Sequence, residues 1–207
     1  YLKSGGTFLD IGTGSGILMI AAAKLGAEMV CGVDKDEIAV DIATKNLMLN
    51  GIEQKKFYLN TGNLVESIES TYDFVVANIF TYVILKLIDD IKKVIKEGGI
   101  FVLNASWNLE DMEKHLPNSL KRIIAEKKLK FYVIDAYTVA NETGMGARIN
   151  TIMQTCFFAI SGVLPKDEAI EKIKGAIKKT YGSKGDKIVQ MNYNAVDQTL
   201  AHLYEID

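Results

Sequence analysis

The sequence predicts an α/β fold, a doubly wound and mainly parallel sheet followed by a mostly helical carboxyl-terminal part. Three observations carry that prediction. Short apolar runs alternate with segments of helical periodicity through the first half, the pattern of βαβ units. A glycine cluster, Gly12-Thr13-Gly14-Ser15-Gly16, stands between the first apolar run and the first helical one. The chain has 207 residues, 48% hydrophobic and 24% charged, enough for one α/β core or a core with a small appendage.

The elements follow in order. Phe8 to Ile11 is a short strand running into the glycines, and Ile17 to Leu25 is alanine-rich and helical. Met29 to Val33 is a buried strand ending at Asp34. From Asp36 to Leu49, Ile38, Ile42 and Leu49 recur at helical spacing, and Asn50-Gly51 marks the stop. Lys56 to Leu59 and Phe74 to Ala77 read as the third and fourth strands. A helix from Tyr82 to Ile95 leads through Gly98-Gly99 into a fifth strand, Ile100 to Leu103. Leu109 to Lys128 is mostly helical, with Pro117 as a break or a new first turn, and Phe131 to Ile134 is one more strand. Everything after it reads as helix. Pro165 opens one helix with Asp167 and Glu168 in its first turn, Lys178-Lys179 in its last and a core stripe of Ile170, Ile173, Ile177 and Tyr181. A final helix covers about Ala195 to Tyr204.

Composition narrows the function classes. A net charge of −2 gives no global positive field, so direct nucleic acid binding is not expected. The two cysteines, Cys31 and Cys156, sit in apolar runs without metal-like spacing and read as buried reduced thiols. With only His115 and His202 as histidines, neither near a cysteine, no metal site is expected. The longest apolar run, Ile17 to Ala23, is far short of the ~20 residues a membrane span needs. The expectation is a cytoplasmic protein without a membrane partner. The first residue is Tyr1 rather than Met, which reads as a fragment of something longer.

The glycine loop is the informative stretch. Following a strand and opening a helix, it lets the backbone turn tightly and approach a ligand, and the helix start offers free N–H groups. A dinucleotide fingerprint wants its third glycine at position 17, where this chain has Ile17. The pattern here is D-x-G-x-G-x-G, led by Asp10. An acid at that place has no role beside a pyrophosphate, but it has one beside a cationic amino group such as methionine's. Asp34 at the end of the second strand suits ribose hydroxyls. Asn63, after the third strand, suits the edge of an adenine. Asn78 ends the fourth strand, where ligands meet parallel sheets. Each has an architectural reading too: Asp34 or Asp36 as a helix cap, Asn63 as a turn residue, Asn78 as a cap. Four polar residues in order at four successive strand ends point to S-adenosylmethionine.

Residues 1–104 resemble class I methyltransferases, a Rossmann-like group, and more closely the methyltransferase of large ribosomal subunit protein eleven. The resemblance rests on Leu9-Asp-Ile-Gly-Thr-Gly-Ser-Gly-Ile-Leu, Ile20-Ala-Ala-Ala-Lys-Leu-Gly-Ala, Gly32-Val-Asp-Lys-Asp, Asn46 to Gly51, and Val76-Ala-Asn-Ile. It implies that Gly12, Gly14 and Gly16 pass under the methionine part and that Asp10 supports the loop or the amino group. It further implies that Asp34 holds the ribose and Asn63 the adenine, and that Asn78 orients the accepting nitrogen as the catalytic residue. Phe80 and Tyr82 are candidates to line the acceptor side, with a packed aromatic as the other reading of Phe80. The partner so implied is a protein substrate, a ribosomal protein. The amino-terminal domain with which that family recognises its substrate is not in this sequence, nor is a loop before the first strand that touches the cofactor.

Residues 105–207 resemble something else, the gamma domain of pyruvate:ferredoxin oxidoreductases. The carrying residues are Leu116-Pro-Asn-Ser-Leu-Lys, Lys130-Phe-Tyr-Val-Ile-Asp-Ala, Gly144-Met-Gly-Ala-Arg-Ile-Asn-Thr-Ile-Met-Gln-Thr, Ser161-Gly-Val-Leu-Pro, Lys178-Lys-Thr-Tyr-Gly and Gln190-Met-Asn-Tyr-Asn-Ala-Val-Asp. Gly144-Met-Gly reads as a turn joining helices. The family's thiamine diphosphate site is not in this segment, and no C-x-x-C cluster ligands are present. The sequence thus predicts two segments joined near Gly98 to Asn104, the second adding a strand to the sheet and packing helices over it. A splice with a poorly packed tail is the competing expectation. The favoured function is methylation of protein amino groups; the alternative is a non-catalytic fragment of an oxidoreductase gamma domain. A methyltransferase for small molecules or nucleic acids is a further rival, and the absence of Asn-Pro-Pro-Tyr after the fourth strand speaks against base methylation.

Overall fold

The computed structural model describes residues 5–63, 65, 68–78, 87, 90–106, 114–162 and 164–206. In the first half β1 (Thr7–Ile11), α1 (Ile17–Lys24), β2 (Met29–Asp34), α2 (Glu37–Leu49), β3 (Phe57–Thr61), β4 (Tyr72–Ala77) and β5 (Ile95–Asn104) follow one another. The second half adds α3 (Asn118–Glu126), β6 (Lys130–Ile134), α4 (Ala136–Glu142), α5 (Asn150–Ser161), α6 (Lys166–Tyr181), α7 (Asp186–His202) and β7 (Tyr204–Ile206).

The strands make one seven-stranded sheet in the order β3-β2-β1-β4-β5-β6-β7. All neighbours are parallel except β6 and β7. The chain winds outward from β1 through β2 and β3, then crosses back to β4 and continues the other way. That reversal between β1 and β4 is the switch point at which doubly wound sheets take their ligands. The central strands are apolar on both faces, as a sheet covered on both sides requires.

One face packs α1, α4 and α5 on Phe8, Phe74 and Val102; the other packs Leu87, Ile91 and α3 on Leu9, Val75 and Phe101. Residues 105–207 contribute to both cores. Phe157 of α5 meets the rings of Phe8 and Phe74 at 5.4 and 5.3 Å. On the other face Phe131 of β6 stacks on Phe101 of β5 at 5.3 Å. β6 pairs with β5 from Ile100↔Lys130 to Asn104↔Ile134, so the sheet continues past residue 104. A satellite cluster of Ile177, Val189 and Val196, with Ile170, Ile173 and Tyr181 against it, fastens α6 to α7.

Several expectations are corrected. In α2 the spaced residues Ile38, Ile42 and Leu49 lie outward, Leu49 being 84% exposed, while Ala43 and Leu47 are fully buried. The glycine loop sets that rotation: a Cβ on Gly16 would come within 3.0 Å of the Ala43 Cβ, and Asn46 Nδ2 donates to Ser15 O at 2.9 Å. Ala43, Asn46 and Leu47 share one face of the helix, so the larger apolar residues turn away. The tail is not all helical. Its last helix spans Asp186–His202, longer than 195–204, and Tyr204 to Ile206 return as β7 to close the sheet edge against β6. The fifth strand starts at Ile95, with an irregular pairing against β4 between Tyr72 and Phe74. Ahead of β6 the expectation holds in the described residues: Lys114 and His115 are helical, Pro117 breaks the run and takes the N-cap position of α3, and Leu109 lies outside the described residues. Of the helix expected over 82–95, residues 87 and 90–94 are described, and they are helical up to Val94. Gly144 and Gly146, at φ 77° and 64°, do form the turn between α4 and α5. Both cysteines are free and buried.

Candidate functional site at the sheet switch point

The loop after β1 is built from three left-handed glycines, Gly12, Gly14 and Gly16, at φ 80°, 52° and 76°. Gly12 and Thr13 donate their N–H groups to Val33 O at 2.8 and 3.2 Å, so the end of β2 holds the start of the loop. At the tip a Cβ on Gly14 would meet nothing within 4 Å. Its φ rather than crowding requires glycine there, and the open side is available to a ligand.

Asp34 reaches this loop. Its Oδ2 accepts from Gly14 N at 2.9 Å and its Oδ1 from Asp36 N at 3.1 Å. The cap of α2 is Asp36, whose Oδ1 accepts from Ile38 N at 2.9 Å. Of the two capping readings the structure takes Asp36 and leaves Asp34 clasping the loop. Gly62 N donates to Asp34 O at 3.0 Å, which brings the turn after β3 beside it, and exposed Asn63 follows directly.

Asp10 lies beneath the loop, 2% exposed. Thr13 Oγ1 donates to its Oδ2 at 3.2 Å. Its Oδ1 is buried without a hydrogen-bond partner among the described residues. Burial pushes the carboxyl up to about 7; the Thr13 hydrogen bond opposes this and the nearby Asp34 charge adds to it. Neither acid forms an ion pair among the described residues. Two acidic side chains, one with an orphan oxygen among the described residues, fit a ligand that carries positive charge and hydroxyls, as adenosylmethionine does.

Asn78 follows β4 across the switch point from the loop, and its N–H donates to Ile11 O at 2.9 Å. Its Oδ1 accepts from Asn104 Nδ2 at 2.9 Å. In the sequence Asn104 stands out only as the edge of the stretch from Gly98 to Asn104. The signal was there: a polar residue closing the apolar run Ile100–Leu103, as Asn78 closes its own. Ile79, Phe80 and Tyr82 lie outside the described residues. A cavity of about 610 Å³ lined by Thr7, Met29, Cys31 and Tyr72 sits at the opposite, amino ends of the strands and takes no part in this site. Among the described residues no cluster of metal-ligating side chains occurs, and no helix is long and apolar enough to cross a membrane.

A switch-point site with a D-x-G-x-G-x-G loop and a second-strand acid defines the class I S-adenosylmethionine-dependent methyltransferase fold. Comparison with known proteins agrees, since the family model of ribosomal protein L11 methyltransferase (PrmA) matches residues 1–128. The chain belongs to that family. A solved SAM-dependent methyltransferase from Agrobacterium tumefaciens matches with a TM-score of 0.50 at 19% identity, over 63% of this chain and 47% of its own. The ribosomal protein L11 methylase of Lactobacillus delbrueckii subsp. bulgaricus is 31% identical, with a TM-score of 0.49 over 63% of this chain and 62% of its own. The chain is also similar to a second group. The pyruvate:ferredoxin oxidoreductase of Moorella thermoacetica is 60% identical over 112 residues, 54% of this chain but 10% of that protein. This chain therefore spans about a tenth of the length of that relative.

Proposed function

We propose that the chain binds S-adenosylmethionine at the switch point and methylates an amino group of a protein, with a ribosomal protein as its substrate. The observation that carries the reading is the buried Oδ1 of Asp10, without a hydrogen-bond partner among the described residues, under an open glycine loop. In this assignment Gly12, Gly14 and Gly16 pass under the methionine part, Asp10 faces its amino group, Asp34 takes the ribose and Asn63 the adenine. When bound, the cofactor supplies a sulfonium methyl that leaves without help from an acid. The amine that receives this methyl would form the C–N bond with its own lone pair and shed the surplus proton to solvent. The chain must then align a neutral amine and exclude water, which puts Asn78 at the nitrogen and calls for no general base. Residues 1–104 carry the cofactor half and 105–207 the half that packs against it. The setting is the cytoplasm.

The 60% identity to a pyruvate:ferredoxin oxidoreductase supports a second reading, a non-catalytic gamma-domain fragment. Calorimetry with S-adenosylhomocysteine separates the two. Saturable binding that Asp34→Ala weakens by roughly tenfold or more, with none for NAD, supports the methyltransferase. A folded chain that binds none leaves the loop as architecture and gives the fragment reading the lead.

A further inference from the structure

The carboxyl ends of β4 and β5 hold a polar contact that the glycine loop does not explain. Asn104 closes β5 and is 3% exposed. Ala77 pairs with Leu103, so the next residues, Asn78 and Asn104, stand side by side. Asn104 Nδ2 donates to Asn78 Oδ1 at 2.9 Å, and Asn104 Oδ1 accepts from Ala136 N at 3.0 Å. Ala136 is the first residue of α4, in the second half of the chain.

The polarity of this relay follows from chemistry. The two ends of an amide side chain are alike in size, but a backbone N–H can only donate. The Asn104 atom facing Ala136 must therefore be its oxygen. The other end of Asn104 must be its NH2, and the atom of Asn78 that receives it must be the carbonyl oxygen. One lone pair of Asn78 Oδ1 is thereby occupied and the second is held in a fixed direction. An amine about to be methylated keeps its own lone pair for the methyl carbon and offers an N–H. It needs an acceptor oxygen, whereas an NH2 group turned toward it competes for the lone pair that must attack.

We propose that Asn104 is the positioning residue of the acceptor side. It fixes the carbonyl end of Asn78 for the incoming amine, and through Ala136 it makes that orientation depend on the seating of α4. The inference rests on the role given to Asn78 above. The test uses the full chain and three readouts: adenosylhomocysteine affinity, the rate of tritiated methyl transfer to ribosomal protein L11, and the side-chain amide NMR signals of Asn78. Asn104→Ala should leave adenosylhomocysteine affinity within about twofold and lower the transfer rate roughly tenfold or more with little change in KM. In an Asn78→Ala background the same substitution should cost nothing further, because Asn104 acts through Asn78. Equal losses in both backgrounds overturn the proposal.

Should Asn104→Ala not fold, Asn104→Asp keeps the shape and the bond from Ala136. Its carboxylate offers only acceptors, so Asn78 must turn its NH2 inward and its side-chain amide protons must shift. Unmoved signals overturn the relay. Wild-type chain that binds no adenosylhomocysteine refutes the cofactor reading instead. Chain that binds it but leaves L11 unmethylated removes the acceptor role of Asn78 and overturns the proposal.

Discussion

At the scale of single residues the site turns on one carboxyl group. Asp10 holds its proton to about pH 7 in the folded chain, against an ordinary value of 3.8. Between those values the folded state binds more protons than the unfolded one, so stability falls as pH rises. The contribution is complete below about pH 4 and is lost as pH passes 7, at up to roughly 1.4 kcal/mol per pH unit inside the window. A ligand ammonium beside Asp10 reverses the preference by favouring the carboxylate. Binding of S-adenosylhomocysteine at pH 6 should therefore release a proton, seen as a calorimetric enthalpy that varies with buffer ionisation. Its affinity should rise with pH and level off above about 7. Asp10→Asn keeps the size and removes the titration. It should flatten both pH profiles and weaken binding at pH 8 by roughly tenfold to a hundredfold. Affinity that ignores pH in the wild type would remove Asp10 from the cofactor's amino group.

At the scale of elements, α2 shows how far periodicity reaches. Its start and stop were legible, because Asp36 and Asn50-Gly51 are local signals that the backbone obeys. Its rotation was not, because Ala43 against Gly16 and Asn46 against Ser15 are tertiary contacts that outweigh the larger stripe of Ile38, Ile42 and Leu49. Leu47→Ala should thus cost about 2–5 kcal/mol in chemical denaturation, while Leu49→Ala should stay within about 0.5. The reverse order would mean that α2 is turned the other way. β7 was illegible for a related reason: Tyr204-Glu205-Ile206 is too short to show alternation and becomes a strand only because β6 offers an open edge. The closeness of the glycine loop and Asp34 was readable, since they are a contiguous motif and a strand-end acid, and Gly14 N meets Asp34 Oδ2 at 2.9 Å. Asn104 was passed over because its meaning depends on Ala136, 32 residues further on and on another element.

At the scale of the molecule the question is whether two segments of different resemblance behave as one body. The packing ties them on both faces of the sheet. Phe157 of α5 is 1% exposed and fills the space over Phe8 and Phe74, so its removal opens a cavity between segments rather than within one. Phe157→Ala should cost about 3–5 kcal/mol, the range for a buried ring cut back to a methyl. A body with one shared core must lose that stability everywhere at once. In urea, NMR signals of Gly14 in the loop and Ala195 in α7 should vanish at a single midpoint, and Phe157→Ala should move both midpoints together. The alternative is a self-sufficient amino-terminal domain with a loosely attached tail. It predicts two midpoints, with Phe157→Ala shifting Ala195 and leaving Gly14 in place. That outcome would also detach Asn104 from α4 before the glycine loop unfolds, so any adenosylhomocysteine bound there would persist at urea concentrations where the Asn78 amide had already lost its fixed polarity.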